Sequence, residues 1–219
     1  MNRRRGPLLP TWIPEGHPLH LGTSARQRIR KAHRSGPGIF LNIPYSRRYS
    51  NFEVAIISTV TAYGLIPHMA RQRVGLEVRA QKVFELVLSC DYGITDLSYQ
   101  TRMNMPLELG LLLALGKETF VVTDRKYKAL RSISDLNFGD IQQHGGSVRN
   151  LIRRLSHWIE QTCSDRQLAT ESLMQRYRRG LRVRRQLGDD FDRYLPDIIS
   201  RLLLVVEDEF QIPIGPNGT

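Results

Sequence analysis

At 219 residues, with 41% hydrophobic and 24% charged content, the chain has the composition of a folded globular protein. It is long enough for one well-cored α/β domain with extensions. No apolar run approaches the roughly 18 residues of a membrane span, and the first residues lack the apolar core of a secretory leader, so a cytoplasmic protein off the membrane is expected. The net charge of +11 would attract polyanions, while Cys90 and Cys163 fall in no metal or redox spacing and read as reduced structural residues.

Residues 1–37 are rich in Arg, Pro and Gly, without apolar periodicity, and read as a basic, flexible arm. The first core strand is Gly38 to Ile43, ended by Pro44. A helix follows from about Asn51 to Tyr63, with Ser50 as its cap, an inner face of Phe52, Ala55, Ile56, Thr59 and Val60, and Gly64 as its stop. Leu65 to Met69 is a short second strand, Leu76 to Ser89 a helix, and Cys90 to Asp96 a third strand ending in acid. The segment from Pro106 to Gly116 is apolar, Gly or Pro at every position except Glu108, which predicts a buried helix. With Pro106 at its first position, Glu108 would be its third residue, where the helix dipole favours a carboxylate.

Thr119 to Thr123 is a fourth strand, and residues 124–146 read as loop with a short strand near Phe138 to Ile141. Val148 to Thr162 is an amphipathic helix whose apolar face is Leu151, Ile152, Leu155, Trp158 and Ile159. The alternation predicts an α/β domain over 38–163, a parallel sheet of four to five strands with helices on both faces. From 164 the pattern is helical, about 166–187 and 191–209. The second helix carries a stripe of Leu195, Ile198, Ile199, Leu202, Leu203 and Val206 that would suit a homo-oligomer.

Glu108 and Asp96 are the leading chemical groups, because both follow strands at the sheet edge where open α/β proteins bind ligands. Two carboxylates there could divide the work of nucleophile or base and of cation stabiliser. The exit of the first strand adds Asn42, Tyr45, Ser46, Arg48 and Tyr49, able to hold a base or phosphate. Arg79 and Lys82 could contact phosphate, although a solvated helix face explains them better. No GxGxxG, GxxxxGK[ST] or GxSxG is present, and the six histidines show no metal spacing, so no metal or bound cofactor is expected.

The run from Ile39 to Tyr45, then Asp96, then Pro106-Leu-Glu-Leu-Gly-Leu-Leu-Leu-Ala-Leu-Gly-Lys-Glu-Thr-Phe-Val-Val122 resembles the nucleoside 2-deoxyribosyltransferase superfamily and its TIR-like relatives. The resemblance covers about residues 38–160 and implies a flavodoxin-like sheet. It also implies catalysis by Glu108 at the anomeric carbon of a ribosyl group, with Asp96 on the sugar hydroxyls and Tyr45 against the base or the nucleophile. The transferases carry an Asp six residues before this Glu. Here that position is Arg102, with Asn104 the nearest small polar residue, and an Arg suits a phosphorylated substrate.

The expectation is an N-glycosidase or ribosyltransferase acting on NAD, a nucleoside or a nucleoside phosphate, with NAD as substrate and not hydride carrier. The alternative is a non-catalytic nucleotide-binding or sensing module working through partners. A basic nucleic-acid adaptor is a third and less favoured reading.

Overall fold

Five short parallel strands alternate with helices in the computed structural model, which describes residues 9–10, 13–17, 19–70, 79–98, 104–124 and 141–163. The strands are β1 (Gly38–Asn42), β2 (Ile66–His68), β3 (Tyr92–Asp96), β4 (Glu118–Thr123) and β5 (Gln142–Gln143). The helices are α1 (Thr23–Ser35), α2 (Ser50–Ala62), α3 (Arg79–Leu88), α4 (Asn104–Ala114) and α5 (Val148–Thr162). The sheet order is β2-β1-β3-β4-β5 and every pair is parallel, a flavodoxin-like topology. The chain steps one way from β1 to β2 and the other way from β2 to β3. Right-handed crossovers therefore place α2 on one face and α3 with α4 on the other. The core follows suit: Ile39, Leu41 and Ile94 pack with α2 and α5, whereas Phe40 packs with α3 and α4.

Helix α2 is buried over nearly its whole circumference, further than the five-residue face expected. It lies between the sheet and α5, and its hydroxyls turn inward, Ser58 donating to the Val54 carbonyl and Thr59 to that of Ala55. Helices α2 and α4 end alike. Gly64 and Gly116 take positive φ, and Leu65 N–H and Lys117 N–H reach back to the carbonyls of Val60 and Leu112. This left-handed stop favours glycine in each case.

Residues 23–35 depart from the arm expected there. They form α1, with Leu21, Ala25 and Ile29 packed on Phe84 and Leu88 of α3. Three apolar residues at four-residue spacing suffice for one buried stripe, although basic residues surround them in sequence. Arg28 clamps Glu85 through Nε to Oε1 and Nη2 to Oε2, both at 2.7 Å. His33 offers Nε2 to the Leu88 carbonyl at 2.8 Å and Nδ1 to Asp91 at 3.2 Å. The Asp91 carboxylate raises the His33 pKa above its ordinary value, against the effect of burial. Burial works to raise the Asp91 carboxyl, but His33, the Gly38 N–H and Lys117 outweigh it and hold the pKa low.

Helix α4 corrects a second expectation. Only Met105, Leu109 and Leu112 are buried; Leu107 is 75% and Leu113 36% exposed. The helix opens at Asn104, so Pro106 is third, still among the N–H groups that have no intrahelical acceptor. Glu108 is then fifth, beyond the turn where the dipole effect is strongest. Of the short strand expected near Phe138 to Ile141, positions 138–140 lie outside the described residues and Ile141 is not in a strand; β5 occupies the next two residues, Gln142–Gln143. The helices expected at 166–187 and 191–209, and the oligomer stripe, also lie outside them. Among the described residues no helix is long and apolar enough to cross a membrane.

Candidate functional site

The strand order reverses between β1 and β3, and the ends of these two strands open the crevice where doubly wound sheets receive ligands. Asn42 closes β1 with its amide buried, donating to the Met105 carbonyl at 2.8 Å and to Thr95 Oγ1 at 3.3 Å. It thereby ties the first turn of α4 to both central strands. Beside it lies a cavity of about 560 Å³. Its polar lining comes from four segments: Asn42 of β1, Tyr45 of the following loop, Lys82 of α3, and Asn104 with Glu108 of α4. Asn104 and Glu108 are four residues apart and share one helix face. Leu19, Val83, Leu107 and Leu111 contribute to a mainly apolar remainder. In such surroundings a fixed charge acts more strongly than it would in water.

Asp96 does not line this cavity. Side chains alternate along a strand, and β3 places Gly93 and Thr95 toward α4 but Ile94 and Asp96 toward α2 and α5. A Cβ on Gly93 would stand 2.8 Å from Leu112, and Thr95 meets Asn42, which fixes the α4 side. On the other face Asp96 is fully buried. It accepts from the Tyr49 hydroxyl, from the Ser98 hydroxyl and from Ser98 N–H at 2.8 Å. His144 Nε2 stands 3.6 Å away. The expectation that both carboxylates face one cleft is therefore corrected: they lie on opposite faces of the sheet.

The cluster of Ser98, His144 and Asp96 has the composition of a nucleophilic triad but not its wiring. Gly146 N–H donates to His144 Nδ1 at 3.1 Å, so in the neutral ring Nε2 carries the proton. Nε2 then donates toward Ser98 Oγ at 3.0 Å and cannot accept that residue's proton. Ser98 Oγ also accepts from Asp124 N–H at 2.9 Å. The network fastens the ends of β3, β4 and β5 together, and Phe52 stacks on Tyr49 and meets the His144 ring at a tilt of 45°. Forty-six residues separate Ser98 from His144, and no local pattern in the sequence links them.

Of the other expected residues, Ser46 and Arg48 are exposed and do not line the cavity. The chain there makes a 3-10 turn over Arg47–Tyr49 that aims Tyr49 inward and leaves its neighbours in solvent. Arg79 is the first residue of α3, and Arg102 lies outside the described residues. Lys82, weighed as a solvated position, is half-buried in the cavity wall. The alternation of Lys82 with Val83 and Phe84 carried no signal of this, because the direction of α3's polar face depends on where α4 packs.

Comparison with protein-family models, with curated proteins and with solved structures returned no match. What the chain displays is an α/β protein of flavodoxin-like topology with a mainly apolar cavity, carrying a few polar groups, at its switch point.

Proposed function

We propose that the protein cleaves or transfers at the N-glycosidic bond of a nucleoside or nucleotide, with Glu108 as the catalytic carboxylate. The observation that carries this reading is the convergence of Glu108, Asn104, Tyr45, Asn42 and Lys82 on one cavity at the switch point. Departure of the base leaves positive charge on the sugar, and a carboxylate facing the anomeric carbon stabilises that state more than the substrate. Tyr45 gives the base a ring to rest on. Asn104 offers its amide, and Asn42 its side-chain carbonyl oxygen, to sugar hydroxyls, and Lys82 supplies a cation for a phosphate. NAD, nucleosides and nucleoside monophosphates are the substrates to test. In this reading Asp96 fastens the sheet and does not touch the sugar.

A second reading draws on the position of Asp96. With one carboxylate among the described residues that line the cavity, the division of labour expected of two is not supported there, and the same lining can hold a nucleotide without turnover. One experiment separates the two. The protein and its Glu108→Gln variant are incubated with each substrate, and products are resolved by chromatography. Free base from the wild type and none from the variant supports catalysis. Saturable binding without product from either supports the sensor, and neither product nor binding refutes both.

A further inference from the structure

Across the sheet from Glu108, a second cavity of about 760 Å³ lies between the first half of β4 and α5. Strand β5 pairs only with Val122 and Thr123, so among the described residues no strand continues beside Glu118–Val121. Arg153, Arg154, His157 and Trp158 line this groove from α5. Arg153 and Arg154 stand one helical turn before His157, so cations and an aromatic ring interleave on one face.

Arg154 is held oddly for a purely structural residue. Its Nη1 donates to Gln142 at 2.7 Å, yet its Nε is buried with no hydrogen-bond partner among the described residues. A buried charged donor left unmatched is costly, and native proteins seldom leave one without a reason. Trp158 is half-buried, its ring set by Phe120 at 5.6 Å and Tyr92 at 6.3 Å between centroids. A guanidinium fork beside an indole is suited to a phosphate group joined to a flat base.

We propose that this groove is a nucleotide-binding site, holding the phosphate on Arg153, Arg154 and His157 and the base against Trp158. It is independent of the Glu108 cavity and of the glycosidic reading. The shared chemistry is a phosphorylated nucleoside, supplied either free or within a single strand of nucleic acid.

The test uses the full chain, with tryptophan fluorescence read against adenosine monophosphate, a ten-residue oligothymidylate and inorganic phosphate. Saturable quenching by a nucleotide probe is expected, absent in Trp158→Phe. It should weaken at least tenfold in Arg153→Gln/His157→Gln, two positions with no hydrogen bond to the sheet among the described residues, and persist in Glu108→Gln. Tighter binding of the oligonucleotide, with affinity falling as salt rises, assigns the site to a strand. Equal or tighter binding of the monophosphate assigns it to a free nucleotide. Quenching that survives in both groove variants, or that inorganic phosphate and polyglutamate reproduce equally well, overturns the proposal. So does the absence of saturable binding.

Discussion

Replacing Arg28 with alanine should undock α1, and the structure gives the size of the effect. Glu85 is 1% exposed and receives two charge-assisted bonds from a guanidinium that is itself 43% exposed. Removing one partner of a fully buried pair costs about 3–5 kcal/mol, because the other charge stays in a low dielectric. Arg28 already spends part of its charge on water, so the expected loss is nearer 2–4 kcal/mol. For a protein of this size that lowers Tm by roughly 4–16 °C. Urea unfolding of wild type, Arg28→Ala, Glu85→Gln and the double variant would measure the coupling. The double variant should be more stable than Arg28→Ala alone, since a buried amide costs less than a buried carboxylate. A loss below about 0.5 kcal/mol, the size of a surface pair, would refute the reasoning. A double variant no better than the single one would refute it too.

The His33–Asp91 pair should make α1 docking pH-dependent. A raised His33 pKa contributes stability fully present below its ordinary 6.5 and lost as pH rises through the folded value. A lowered Asp91 pKa contributes stability present above its ordinary 3.8 and lost as pH falls through the folded value. Protection factors of the α1 amides, taken against the intrinsic exchange rate at each pH, should therefore be highest between about pH 4 and 6.5 and vary less with pH in His33→Gln. In β3, Gly93→Ala brings a Cβ within 2.8–2.9 Å of both Leu112 methyls. Overpacking of this kind costs about 1–3 kcal/mol, and because Leu112 shares α4 with Glu108, ligand affinity at the cavity should fall alongside the melting temperature. Burial pushes the Cys163 thiol up to about 12, so neither it nor buried Cys90 should react with a thiol reagent at pH 8 until the protein unfolds.

Elements with full periodicity were legible from sequence alone. Helix α5 begins and ends where its five apolar positions say it should, and the parallel sheet follows from strands alternating with helices. Helix α1 was not legible, because Ala25 and Ile29 make a narrow stripe and six basic residues around them imitate a solvated arm. The candidate site was half legible. Asn42, Tyr45 and Glu108 could be placed at the sheet's carboxyl edge from chain order, whereas Asn104 entered only through the family resemblance. Asp96 was placed at the right edge but on the wrong face, because strand periodicity gives alternation without saying which parity meets α4. Lys82 depended on packing between two helices, a long-range property that no window along the chain contains.

Leu19 lines the Glu108 cavity, and the layer that holds it there is α1 clamped across α3. The smallest unit that keeps this cavity intact therefore does not begin at the first strand. A truncation at Gly36, natural for anyone isolating the sheet, would strip the apolar cover from Phe84 and Leu88, take the Arg28 guanidinium away from Glu85 and remove one wall of the cavity in the same cut.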